Sequence, residues 1–228
     1  MFSEPSTISL LCECVHLPAK YTIEQVREVY NKVCNTSGYE NFIRTSTGAR
    51  IEKQGSGGRG FSRLTFAGDR LQFAEDHMGT TAEQFGKKVR TVLEEALPGL
   101  GLGAILVQQV TVRAVCTPNA FGSAAEFLAG SIFRVPQDDL REFERPVSLH
   151  GFRLVFPATK EQPAAFNVRV ESYLRDRRSV YIENVGTFKT PIPSGNLDQI
   201  ERQIGTVSDF IVSKIIPFLT QYDRRDVE

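Results

Sequence analysis

The chain has 228 residues, with 27 Lys plus Arg against 27 Asp plus Glu and a formal net charge of zero. A general binder of nucleic acid or anionic membrane carries a basic surplus, which this chain lacks. The 41% hydrophobic and 24% charged content is that of an ordinary globular protein, large enough to bury a core as one large domain or two small ones.

No apolar run approaches the roughly 18 residues of a membrane span. The start MFSEPSTISLLCECV lacks the basic n-region of a signal peptide. The four cysteines (Cys12, Cys14, Cys34, Cys116) show no disulfide-scaffold rhythm, so reduced thiols in a cytoplasm are expected.

In chain order, residues 8–16 alternate and are rich in β-branched side chains, which predicts a strand ended by Pro18. Thr22 is placed to cap a helix whose apolar face is Ile23, Val26, Val29, Tyr30 and Val33. Gly48–Gln54 reads as a short strand, and the GSGGRG run at 55–60 as a turn. A hairpin folded at Asp69-Arg70 follows. Thr80-Thr81 then opens a helix with Phe85, Val89, Val92, Leu93 and Ala96 on its buried side, stopped at Pro98-Gly99.

The pattern restarts at Ala104–Cys116, a strand ending two residues before Pro118 as the first ends two before Pro18. Ser123–Phe133 matches the first helix, Ser148–Phe156 the short strand, and a hairpin folded at Asp176-Arg177 the earlier hairpin. Asn196–Tyr222 matches the second helix but is longer. The offset is 100 residues at the strands (Val15 to Val115) and 107 at the hairpins (Asp69 to Asp176, and Gly79 to Gly186 in the Gly-Thr pairs that close them). The expected fold is therefore α+β: a tandem duplication of a β-α-β-β-β-α unit, with repeats at 1–100 and 101–228. Antiparallel strands would lie under helices on one face, about a pseudo-two-fold axis. Such a saddle resembles the TATA-binding-protein architecture, a likeness without functional content.

The segment FNVRVESYLRDRRSVYIENVGTF (166–188), followed by a terminal helix opening with Leu197-Asp198, resembles the C-terminal part of a sporadically distributed family of uncharacterised bacterial proteins. The resemblance covers about the last 80 residues and implies a fold, with no activity attached.

Cys12, Cys14 and His16 fall on one face of their strand, and Cys116 would supply a fourth ligand for a tetrahedral metal site. The second copy has Val112 and Ala114 where the first has Cys12 and Cys14, with Val110 for Leu10, so the cysteines read as core and no metal is expected. The glycine run precedes a strand instead of opening a helix, so it is no phosphate cradle, and no cofactor is expected. Neither the three histidines nor the paired acids form a recognisable catalytic set.

The solvent face of the sheet is the best candidate for binding. Parity that buries Leu64, Phe66, Phe73, Val168, Val170, Val180 and Ile182 exposes Glu13, Arg63, Gln72, Arg113, Arg169, Glu171, Tyr173 and Tyr181. Arg with Tyr is an interface composition. The leading expectation is a non-enzymatic binding or assembly protein with a protein partner. A nucleic-acid-associated protein using Arg59, Arg63, Arg113 and Arg169 is the alternative, and an enzyme of unknown class the third. The long last helix also carries more apolar surface than one half-sheet covers. Either the first half's helices or another subunit must bury the excess, and of the two a homodimer is expected, through Phe210, Ile211, Ile215 and Phe218, with the charged tail Asp223–Glu228 as its rim.

Overall fold

The computed structural model describes residues 2–46 and 48–224, so most of the charged tail, residues 225–228, lies outside the described residues. The fold is α+β. Nine strands form one antiparallel sheet: β1 (Ser6–Val15), β2 (Asn41–Thr45), β3 (Gly48–Gln54), β4 (Phe61–Ala67), β5 (Arg70–Asp76), β7 (Val107–Cys116), β8 (Gly151–Phe156), β9 (Ala164–Ser172) and β10 (Val180–Phe188). β6 (Ala104–Ile105) and β11 (Ile192–Pro193) make a separate two-stranded pair. The order across the large sheet is β2-β3-β4-β5-β1-β7-β10-β9-β8. The first and second halves of the chain thus share one sheet, joined where β1 pairs with β7.

The helices follow their caps. In α1 (Ile23–Ser37), Thr22 Oγ1 accepts from the N–H of Gln25 at 3.2 Å while Gln25 Oε1 accepts from the N–H of Thr22 at 2.9 Å. Thr81 and Gln84 repeat this box at the start of α2 (Ala82–Gly99). Such a reciprocal pair satisfies donors that the first helical turn leaves open. Ser123 caps α3 (Ala124–Phe127), which widens into a π segment (Leu128–Phe133) before the short α4 (Gln137–Arg141). The last helix is α5 (Asp198–Phe210), a π segment (Ile211–Ile215) and α6 (Ile216–Thr220).

All the core residues read from alternation (Leu64, Phe66, Phe73, Val168, Val170, Val180 and Ile182) are buried. They face the helices, together with Cys12, Cys14, Val110 and Val112 from the central strands. α5 lies close on the sheet: Gln108 Nε2 donates to the Ile200 carbonyl at 3.1 Å, and Asn184 Nδ2 to the Val207 carbonyl at 2.9 Å. The second bond reaches the helix just before the π segment, where the N–H of Ile211 bonds to the Ser208 carbonyl.

Three expectations change. β2 is an additional strand, so the first half runs β-α-β-β-β-β-α. The two Gly-Thr pairs are not equivalent: Gly79 sits after β5 with φ +71°, whereas Gly186 lies inside β10. A Cβ on Gly186 would meet Val207 Cγ2 at 2.3 Å, so its role is close approach of helix to sheet. Part of the excess stripe of the last helix packs against the chain itself. Ile211 and Ile215 are buried in the core, Phe210 stacks on Phe166 at 4.4 Å and touches Phe156 at 5.2 Å, and Phe218 meets Phe152 at 6.4 Å. Asp223 is likewise buried instead of forming a solvated rim. Its carboxylate accepts from the N–H groups of Asn119 and Ala120 at 3.1 and 2.9 Å.

Candidate functional site

Side chains alternate across a strand, so burying one face of the sheet under helices leaves the other without a helical cover. Register fixes what stands where on that open face. One cross-strand row reads Ala74, Leu11, Thr111, Val185, from β5 to β10. Beside it, one pleat along, runs Asp76, Ser9, Arg113, Glu183, Arg169. On the other side stand Thr65, Gln72, Glu13 and Gln109. A neutral, partly apolar strip therefore crosses the middle of the sheet between two polar rows.

The polar rows are internally paired. Glu183 accepts from Arg113 Nε at 2.7 Å and from Tyr181 Oη at 3.1 Å, and lies 3.4 Å from Arg169 Nη2. Arg169 also reaches Glu171 at 3.8 Å and stands 5.3 Å over the Tyr181 ring. Tyr181 stacks on Tyr173 with centroids 5.9 Å apart and planes 12° from parallel. Burial of the Tyr181 hydroxyl, with the Glu183 charge beside it, raises its pKa above the usual phenol value. For Arg113 burial opposes the charge, but the hydrogen bond to Glu183 together with the electrostatic influence of Tyr181 and Glu183 outweighs it, and the guanidinium is held more tightly charged than usual. Toward the other end, Glu52 holds Arg63 at 3.0 Å and Arg50 at 3.2 Å. Glu13 accepts from Gln72 Nε2 at 2.8 Å.

The structure thus brings Arg113, Arg169, Tyr173 and Tyr181 into one cluster over β7, β10 and β9. Arg63 is on the same face but lies on β4, three strand positions from β7, or roughly 14 Å at about 4.8 Å per step. Arg59 is exposed in the glycine loop between β3 and β4, away from the cluster.

The cysteine–histidine spacing forms no open site. Cys12 and Cys14 are buried with their sulfurs 3.8 Å apart, and that contact together with burial raises the Cys14 thiol well above its usual pKa. Burial pushes Cys116 up to about 12. His16 is buried, with Nδ1 2.7 Å from the Leu17 carbonyl and Nε2 accepting from Tyr21. Among the described residues, no group of three or more His, Cys, Asp or Glu is arranged to hold a metal ion. No helix among them is long and apolar enough to cross a membrane.

A second polar cluster escaped the sequence reading. Lys88 Nζ donates to Glu75 Oε1 at 2.8 Å and to Ser62 Oγ at 2.7 Å, and lies 4.5 Å above the Tyr39 ring. Ser62 also donates to Glu75 at 2.9 Å. The signal was available, because Ser62 and Glu75 occupy core-parity positions on β4 and β5, beside Leu64 and Phe73. A buried ion pair of this kind adds little net stability, because desolvation offsets much of its attraction, and with Ser62 buried the cluster offers no exposed nucleophile.

No family model and no curated protein matches the chain. Among solved structures, 90% of the chain is similar to part of E. coli aspartokinase III in complex with aspartate and ADP (R-state), at 7% identity and a TM-score of 0.22. The chain spans 34% of that protein's length, and so loose a likeness carries no argument.

Proposed function

We propose that the chain is a non-enzymatic binding protein that presents the open face of its sheet to a protein partner. The observation that carries this reading is the neutral strip Ala74–Leu11–Thr111–Val185 bordered by polar rows. An apolar centre with a polar rim, rich in Arg and Tyr, is the anatomy of a protein interface. The pairing of Arg63, Arg113 and Arg169 with Glu52, Glu183 and Glu171 speaks against a phosphate backbone as ligand. An arginine already neutralised by a carboxylate releases few counterions on binding.

The same reading includes duplication of the chain about an axis between β1 and β7. It is supported by matching strand orders, β3-β4-β5-β1 and β8-β9-β10-β7. Leu11 also faces Thr111, its counterpart at the expected offset (111 − 11 = 100).

The test is site-specific photo-crosslinking from Leu11 and from Arg202, on exposed helix surface, in the native host. A protein adduct formed from Leu11 only, and lost in Val185→Lys, is the expected result. Salt-sensitive binding of nucleic acid by the wild type, abolished in Arg169→Ala, would replace this reading by the nucleic-acid alternative.

A further inference from the structure

The two ends of the large sheet are not alike. In the first half, β3 is flanked by β4 on one side and covered by β2 on the other. In the second half, β8 holds the matching place beyond β9, but among the described residues no strand lies outside it. The connection that could have supplied one, residues 134–150, contributes the short α4 and then exposed chain. β8 therefore ends the sheet with a row of backbone donors and acceptors pointing outward, roughly 20 Å long for six residues at about 3.4 Å each.

Natural edges are blunted by charged side chains, internal prolines or bulges. β8, Gly-Phe-Arg-Leu-Val-Phe, carries the single charge of Arg153 and neither a proline nor a bulge, and Val155 is 64% and Phe156 37% exposed. The segment leading into it adds exposed Phe143 and Val147. β2 at the opposite end, Asn-Phe-Ile-Arg-Thr, is the more polar edge.

We propose that β8 pairs antiparallel with β8 of a second copy of this chain, continuing both sheets across a two-fold axis at Leu154. This deepens the proposed binding role by adding a second, identical open face, but it rests on a different surface. The occupant is specified by self-complementarity. Phe152, Leu154 and Phe156 face the helices through their pairing with Val170, Val168 and Phe166, while Arg153 and Val155 face the open side. A two-fold that keeps each face in line and pairs five of the six strand residues must place Leu154 against itself or Arg153 against itself. The first sets Phe152 opposite Phe156 and Arg153 opposite Val155, with no like charges in contact. The second opposes two guanidinium groups. The strand is thus matched to its own copy in one register, whereas nothing on it selects a different chain. The ring of Phe152, already edge-on to Phe133 and Phe218, would gain a third aromatic neighbour.

Light scattering and sedimentation at micromolar concentration test the pairing, with circular dichroism to verify the fold of each variant. The wild type should have twice the mass of one chain. Val155→Lys, at an exposed position, sets a cation opposite the partner's Arg153 twice per dimer and should weaken association about tenfold or more. Adding Arg153→Glu to Val155→Lys creates two opposite-charge pairs and should restore the dimer. A monomeric wild type would overturn the proposal. So would a dimer indifferent to Val155→Lys but broken by Phe210→Glu, which would put association on the last helix. Val185→Lys, which tests the open face, should leave the mass unchanged, so the two readings fail separately.

Discussion

Gly186 is the position where helix and sheet approach most closely, and adding one methyl group there tests the packing argument directly. An alanine Cβ would stand 2.3 Å from Val207 Cγ2, 3.2 Å from Phe166 Cε1 and 3.4 Å from Phe188 Cε2. Ordinary carbon contacts are about 3.5–4.0 Å, so more than an ångström must be absorbed against Val207. The helix cannot simply slide, because Asn184 and Gln108 tie its carbonyls to β10 and β7. Overpacking of this kind costs about 1–3 kcal/mol, and the stiffer unfolded chain of alanine offsets about 0.4–1 kcal/mol. The expected net loss for Gly186→Ala is about 1–2 kcal/mol, or a Tm lower by roughly 2–8 °C for a chain of this size.

Val207→Ala alone should cost about 2 kcal/mol through the lost methyl groups. Combined, the two changes should cost less than their sum, with a coupling of about 1–2 kcal/mol, because the new methyl occupies the space vacated. Urea unfolding followed by circular dichroism measures all four corners of the cycle. Gly79→Ala is the control: its φ of +71° penalises alanine although nothing lies within 4 Å, and Val207→Ala should not relieve it. A neutral Gly186→Ala, or an additive cycle, would refute the reasoning.

Two further outcomes are expected. Asp176 accepts from Ser179 Oγ at 2.6 Å and from the N–H of Arg178 at 3.1 Å, and these bonds hold its carboxyl below the usual aspartate range. Its contribution to stability is therefore present above the unfolded-state pKa of about 3.9 and lost as pH falls through the lower folded value. Asp176→Asn should flatten the stability profile in that acid window and leave the slope at neutral pH unchanged, as acid titration of unfolding can show. Thiol labelling at mildly alkaline pH should modify Cys34 quickly, since it is half-exposed, and leave the buried Cys12, Cys14 and Cys116 untouched until denaturant is added. Rapid modification of Cys116, whose thiol is pushed up to about 12, would contradict its burial.

Alternation and helical spacing made most of the elements legible. Leu64, Phe66, Val168 and Val170 identified the buried face, and Thr22 and Thr81 marked two helix starts that carry full capping boxes. β2 was missed because a five-residue edge strand, half-exposed on both faces, has no clear period. The Gly-Thr spacing misled because it counts residues along the chain, whereas equivalence in a sheet depends on register. Parity put Arg113, Arg169 and Tyr181 on one face, but their shared partner Glu183 follows only from the pairing of β7 with β10. Asn184 and Glu75, polar residues at core parity, were readable in principle as anchors to something on the helix side. The fate of the long apolar stripe was not. It depended on aromatic side chains of β8 and β9, whose proximity to the last helix no local pattern encodes.

The pairing of β1 with β7 has a consequence during synthesis. β1 is complete at Val15, and its neighbour on one side, β5, at Asp76, but β7 is complete only at Cys116. At about 5–20 residues per second, the intervening hundred or so residues take roughly 5–20 s to make. Through that interval the strand that will become the middle of the sheet lacks its partner β7 and keeps one side unpaired on the ribosome. Slow translation between residues 77 and 116 would lengthen this exposure and favour strand-to-strand association of nascent chains, while leaving the stability of the finished protein unaltered.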